Sequence, residues 1–220
     1  MIKTVLFDFV NTLAYLSPSR ENILQQFLQE KNQLILEAYK NTDEYMPYSS
    51  IKISNLHEKR KFYSGYNQIL FNNLGSLCYN DFYDYYNSIK KEWLLYDDAL
   101  QTINDLKSRD IKVGIISNFD KNLDKILQFL RIGDLLDIVV ISAKIQLEKP
   151  NIEFYNYVKN NYDLNLTETL YIGDSYNLDY VPSRHVGYES YIIDRNNLYC
   201  NVPNRVQKLS DIIEIINHAS

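Results

Sequence analysis

Cysteine is scarce in this chain of 220 residues: there are two, Cys78 and Cys200, and they form no pair of the metal-binding or redox type. A reducing cytoplasm is the expected setting. Long apolar runs are missing as well, so no membrane-spanning segment is expected. The N-terminal stretch MIKTVLFDFVNTLAYL has the early lysine of a signal peptide, but Asp8 and Asn11 interrupt any apolar region within it. There is no basic excess: the net charge is -5 and the isoelectric point about 5.3, which argues against a nucleic-acid partner. No internal repeat and no low-complexity linker is found. Glycine numbers only 6, whereas tyrosine numbers 20, in a chain also rich in Asn, Lys and Ile. The tyrosines are read as compositional bias rather than as an aromatic binding surface. A soluble intracellular protein, monomeric or homodimeric, is expected.

What is present suits a folded core. Hydrophobic residues make up 45% of the chain, enough for one large domain or a core with an insert. Five short runs have the β-branched and aromatic content of strands: Thr4–Phe7, Lys112–Ile116, Ile138–Ile141, Leu170–Ile172 and Tyr191–Ile193. Helical patterns lie between them. Leu123, Ile126, Leu127 and Leu130 form an amphipathic stripe, Leu100, Ile103 and Leu106 a narrower one. Ser210 stands where a cap would precede a terminal helix carrying Ile212, Ile213, Ile215 and Ile216. Such alternation predicts an α/β fold, a doubly wound parallel sheet covered on both faces. From about Leu16 to Trp93 no strand is evident and the pattern is helical, too long for a loop. Residues 16–93 are therefore expected to form an inserted all-helical subdomain, with 1–15 and 94–220 as the α/β core.

Polar sites fall at strand ends or just beyond them: Asp8 to Leu13 after the first strand, Ser117-Asn118 at the end of the second, Glu148-Lys149-Pro150 in a loop after the third, and Gly173-Asp174-Ser175 with Asp179 after the fourth. Singly, each has a plain structural reading as a turn, a helix cap or a solvated lysine. In this order, on the edge where open α/β sheets form their sites, they read as one constellation. Clustered carboxylates need a cation to offset their repulsion, and an all-oxygen set suits Mg²⁺. A lysine and a serine beside it suit a phosphate-like anion.

DFVNTL (8–13), IISNFD (115–120), the EKP loop (148–150) and YIGDSYNLDY (171–180) resemble, in order, the four motifs of the haloacid dehalogenase superfamily. The resemblance covers the whole sheet domain, and the insert sits where that family carries a helical cap. It implies a hydrolase in which Asp8 is the nucleophile and a Mg²⁺ ligand. The Val10 carbonyl and Asp174 would be further ligands, and Asp179 would act through water or from the second shell. Ser117 and the Asn118 amide would hold the transferring group, Thr12 would shape the nucleophile loop beside them, and Lys149 would position Asp8 and neutralise charge. The substrate would be a small phosphorylated molecule.

The sequence departs from the family's phosphatases at one position. They usually carry a second aspartate two residues after the nucleophile, which protonates the leaving oxygen and later activates water. Here that residue is Val10, which can do neither, and general acid–base help is worth ~10²–10⁴-fold. A phosphatase that is weak or restricted to good leaving groups is the first expectation. A carbon–halogen or carbon–phosphorus hydrolase is the second, and a catalytically silent binding protein the third. In the insert, His57-Glu58-Lys59-Arg60-Lys61 reads as a solvated helix face. Phe82, Tyr83, Tyr85, Tyr86 and Trp93 read as packing residues, and so does His185.

Overall fold

The computed structural model describes residues 1–29, 32–45, 56–75 and 79–218. Contacts between residues divide the chain into two compact units, Met1–Tyr15 with Leu94–Ser220, and Leu16–Trp93. The elements begin with β1 (Thr4–Phe7), β2 (Ala14–Ser17), α1 (Arg20–Leu28), α2 (Asn32–Tyr45), α3 (Leu56–Asn73), α4 (Tyr79–Ser88) and β3 (Glu92–Leu95). They continue with α5 (Ala99–Lys107), β4 (Lys112–Ser117), α6 (Leu123–Phe129), β5 (Ile138–Ile141), α7 (Ser142–Ile145), α8 (Ile152–Asn161) and β6 (Thr169–Gly173). A π-turn (Tyr176–Tyr180), α9 (Val181–Val186), β7 (Glu189–Ile193), β8 (Arg205–Val206) and α10 (Asp211–His218) follow.

The first unit is built on a six-stranded sheet in the order β5-β4-β1-β6-β7-β8, with every pairing parallel. All four residues of β1 are buried, as a strand covered on both faces requires. Register aligns the carboxyl ends: Phe7 faces Ile115 of β4 on one side and Ile172 of β6 on the other. The chain leaves β1 to build one flank, then crosses to the other at β6. That reversal puts a crevice at the end of β1, the place where such sheets bind ligands. Leu6, Ile116, Val140, Phe154, Tyr155, Tyr171 and Tyr188 belong to the packed core of this unit.

The second unit is mainly helical. Ile23, Leu24, Ile35, Ala38, Leu70, Phe71 and Phe82 form its core. Ser19 caps α1 by accepting the Asn22 N–H at 3.2 Å. The expected packing of the aromatic group holds for Phe82 but not for Tyr83 and Tyr85, which are exposed. Tyr85 still lies against the Phe27 ring. In the charge run, Lys61 is exposed, and the side chains of His57 to Arg60 lie outside the described residues, as does Cys78. Among the described residues no helix is long and apolar enough to cross a membrane.

Two details differ from the expected pattern. The first is a two-stranded sheet of β2 with β3, whose residues Leu16–Ser17 and Glu92–Trp93 fall in the stretch expected to lack strands. Strands of four residues are too short to show a period of two, and their partners lie far apart in sequence. The second is β8, a two-residue strand on the sheet edge.

Gly114 shows how tightly the sheet is covered. A Cβ there would lie 2.7 Å from both Ile138 Cβ and Leu6 Cδ2, and 3.1 Å from the Ile138 carbonyl oxygen. Gly114→Ala is expected to destabilise the protein by about 1–3 kcal/mol, the usual cost of overpacking. Urea unfolding measures it, and an unchanged midpoint would show that β4 and β5 separate freely.

Candidate active site

Asp8 is the first residue beyond β1. Its N–H donates to the Ile172 carbonyl at 2.8 Å, which carries the β1–β6 ladder one residue past the strand. The chain then turns back on itself. The N–H groups of Leu13 and Ala14 both donate to the Phe9 carbonyl at 3.0 Å, and the Asn11 N–H donates to the Ala14 carbonyl at 2.7 Å. Asn11 has a left-handed backbone, φ 60°, a conformation that asparagine tolerates better than most residues. Thr12 is fully buried and its hydroxyl has no hydrogen-bond partner.

Lys149 is held by its backbone as well as its side chain. The Asn118 side chain donates to the Lys149 carbonyl and accepts the Lys149 N–H, both at 2.8 Å. The end of β4 thus fixes the Lys149 loop through one amide group. The ammonium then donates to Asp8 Oδ1 at 2.6 Å and Asp179 Oδ1 at 2.6 Å, and lies 3.2 Å from the Tyr171 hydroxyl. Both carboxylates and the lysine are buried. Asp179 accepts two further hydrogen bonds, from the Tyr171 hydroxyl and from the Ser175 N–H at 3.0 Å. The π-turn, a form often found at functional sites, brings Asp179 back over Gly173. Only glycine fits there: a Cβ on residue 173 would sit 2.5 Å from Asp179 Cβ and 2.6 Å from its Oδ2.

Asp174 completes the group. Asp8, Asp174 and Asp179 each offer a carboxylate oxygen, and these atoms lie within 4.8 Å of one another. Burial pushes the Asp8 carboxyl up to about 6 against the pull of Lys149, and the Asp179 charge adds to the rise. Asp174 is raised well above the ordinary carboxylate range, by burial first and then by the charges of Asp8 and Asp179; the Lys149 charge and a hydrogen bond with Asn11 oppose this. Lys149 is held above its ordinary range by its two carboxylates, which outweigh the burial that would lower it. One ammonium does not offset three carboxylates, so the cluster as built favours a further cation. An all-oxygen donor set of this spacing fits a hard divalent ion.

A family model described as haloacid dehalogenase-like hydrolase matches residues 2–187. The chain belongs to this family. It is 24% identical over 224 residues to pyrophosphatase PpaX of Bacillus mycoides, covering 98% of this chain and 97% of that protein. It is 30% identical over 105 residues to glyceraldehyde 3-phosphate phosphatase of Methanocaldococcus jannaschii, 46% of each chain. The first curated relatives it matches are spanned over only 40% to 47% of their length. Among solved structures, the HAD-hydrolase YfnB of Bacillus subtilis superposes with a TM-score of 0.67 at 19% identity, covering 98% of this chain and 99% of that one. That likeness shows the fold.

Within this fold the four motifs meet. Asp8, Lys149, Asp174 and Asp179 stand together at the carboxyl edge, and Ser117 lies buried at the end of β4. Val10 is half-buried on the loop that follows Asp8. The Asn118 side chain is committed to Lys149. Three contributors were not singled out from the sequence. Tyr171 lies mid-strand in an apolar run and is one tyrosine among many, Gly173 matters through the Asp179 side chain that lies over it, and Asn11 matters through its left-handed backbone and its hydrogen bond with Asp174, none of which composition reveals. His185, expected to pack, is exposed on α9.

Lys149→Met would leave Asp8 and Asp179 buried without their counterion. Breaking such a pair is expected to cost about 3–5 kcal/mol. Asp8 is already raised with the lysine present, and its carboxyl rises further once the opposing Lys149 charge is gone. A carboxyl whose folded pKa exceeds its unfolded one makes stability fall as pH rises. The variant should therefore be less stable at pH 8 than at pH 5, and urea midpoints at the two pH values read this directly. Equal loss at both would mean that the carboxylates find another partner.

Proposed function

We propose that this chain is a phosphatase in which Asp8 attacks the phosphoryl group of a small phosphorylated molecule, with Mg²⁺ held by Asp8, Asp174 and the Val10 carbonyl and with Asp179 behind them. The observation that carries this reading is the Lys149 ammonium, buried and shared between Asp8 and Asp179 at 2.6 Å each. In this reading the sheet unit is the catalytic core and the helical unit, Leu16–Trp93, takes the part of the family's cap.

Lys149 fixes Asp8 Oδ1 and leaves Oδ2 for attack. With its carboxyl near 6, Asp8 is mostly ionised at neutral pH and more basic than an ordinary aspartate. The new bond joins Asp8 to phosphorus as the bond to the leaving oxygen breaks, and the leaving group departs with that electron pair. Water then cleaves the aspartyl-phosphate, releasing phosphate and restoring Asp8. Ser117 and the Asn118 amide hold the non-reacting oxygens. The cation would offset charge on those oxygens and orient them. YfnB, whose fold is shared, was solved bound to magnesium.

Val10 sets the substrate range. A leaving oxygen that becomes a stable anion departs without a proton, whereas an alkoxide needs one that Val10 cannot give. Aryl phosphates, acyl phosphates and phosphoanhydrides meet this condition, and one relative named above is a pyrophosphatase. Halide leaving groups meet it too, which keeps carbon–halogen hydrolysis as the second reading.

Initial rates on p-nitrophenyl phosphate, an alkyl phosphate and 2-chloropropionate, with and without Mg²⁺, separate these readings. Mg²⁺-dependent turnover of the aryl ester is expected, abolished in Asp8→Asn. Val10→Asp should raise the alkyl phosphate rate by ~10-fold or more, a fraction of the usual acid–base contribution. Turnover that survives Asp8→Asn would overturn the mechanism, and activity on 2-chloropropionate alone would overturn the substrate class. Asp174→Ala should weaken Mg²⁺ binding in calorimetry by about 10-fold or more. Equal affinity would remove Asp174 from the ligand set.

A further inference from the structure

Arg195 lies in none of the four motifs, yet it reaches the nucleophile loop. Its Nη2 donates to the Thr12 carbonyl at 3.0 Å. The same guanidinium grips Asp98, Nη1 to Oδ2 at 3.1 Å and Nη2 to Oδ1 at 3.0 Å. It also lies over the Tyr96 ring, with Cζ 3.7 Å from the centroid. Asp98 is fixed in turn by the Leu209 N–H at 2.9 Å. A planar, forked cation can meet a carboxylate, a carbonyl and a ring face together, and a lysine cannot.

The surroundings bear on the nucleophile loop more than on the fold. The Phe9 and Leu13 carbonyls of that loop accept backbone N–H groups, the latter from Tyr96 at 3.0 Å. The Thr12 carbonyl depends instead on one side chain 183 residues away. Arg195 projects from a loop that is itself anchored: Asp194 accepts the N–H groups of Leu198 at 2.8 Å and Tyr199 at 2.9 Å, and pairs with Arg205 at 3.0 Å. The arrangement also carries a penalty, because Arg195 Nε is buried with no hydrogen-bond partner. The pair with Asp98 is only partly buried, and ion pairs reached by solvent add little to stability, so stability alone does not account for the arginine.

We propose that Arg195 is a positioning residue for catalysis. It pins the Thr12 carbonyl and so fixes the loop that presents Asp8 to the transferring group and carries the Val10 carbonyl. Its catalytic consequence rests on the phosphatase reading, but the pinning does not. The test uses the full chain as Arg195→Met and Arg195→Lys. The second keeps a charge for Asp98, and so keeps the experiment open if the first does not fold. Two measurements are made on each: amide hydrogen exchange without substrate, and steady-state kinetics on p-nitrophenyl phosphate with Mg²⁺. Exchange at Asn11, Leu13 and Ala14 should rise by about 10-fold or more while β1 and β6 amides stay as in the wild type. kcat should fall by about 10- to 100-fold with KM changed by no more than about twofold, as for a displaced reacting group. Exchange that is unchanged in the loop, or raised equally across the sheet, would overturn the proposal and leave Arg195 a structural residue. So would a lysine variant indistinguishable from the wild type. Raised loop exchange in a protein whose wild type hydrolyses no phosphate ester would overturn the phosphatase reading and leave the pinning standing.

Discussion

The Lys149 ammonium is the interaction on which the rest of the structure depends. A buried cation is tolerated only where its partners are close and well oriented. Here the partners come from two distant parts of the chain, Asp8 at 141 residues' separation and Asp179 at 30. Bringing them together fixes much else. β1 and β6 must pair with their ends level, so that Asp8 and the turn after Gly173 share one edge. The Lys149 loop must be tied to β4, which the Asn118 side chain does through both backbone groups of Lys149. Residue 173 must lack a Cβ so that Asp179 can fold back over it. Tyr171 must turn its hydroxyl to Asp179 from within an otherwise apolar core.

The same cluster is deliberately incomplete in charge. Lys149 pairs with Asp8 and Asp179, and Asp174 stands within ligand distance of both, so full ionisation leaves a surplus of two negative charges. The raised carboxyls of Asp8 and Asp174 report that surplus as a preference for protons. A divalent cation would remove it and draw the carboxyls down again. A site in this condition favours cations over anions, and on the phosphatase reading a bound cation is what would let it attract a phosphoryl group.

Much of this was legible because strands buried on both faces advertise themselves. The apolar, β-branched runs give Thr4–Phe7 and Ile138–Ile141 to the residue, and the other three expected strands to within two residues at either end. Polar residues placed just after such runs stand out, and for that reason Asp8, Ser117 and Asp174 could be picked out and put on one edge. Lys149 could be found by its place in the motif order. Tyr171 could not, because its hydroxyl acts from a position that packing alone would explain. Arg195 could not either: its partners Thr12, Tyr96 and Asp98 lie 183 and 97 residues away for the two hydrogen-bonded ones, and no local pattern marks them. The strands β2, β3 and β8 are too short to carry a period. What sequence hides here is side-chain reach across the fold; what it displays is the burial pattern along each strand.

Val10 is best understood through the same charge inventory. A carboxylate at that position would stand on the loop that already carries Asp8 and would add a negative charge to a group short of cations. It would raise the neighbouring carboxyls further and increase the demand on Lys149 and on any bound metal. Valine avoids that cost and leaves the loop simpler to hold, with its turn set by the Phe9 carbonyl and Asn11 rather than by another ionised side chain. The loss is chemical, since nothing at residue 10 can hand a proton to a departing alkoxide. On the phosphatase reading proposed above, the chain keeps the parts of the site that bind charge and make a nucleophile, and lacks the part that makes poor leaving groups leave. In such a site, selectivity need not come from contacts with the rest of the substrate: the stability of the leaving anion is itself the filter.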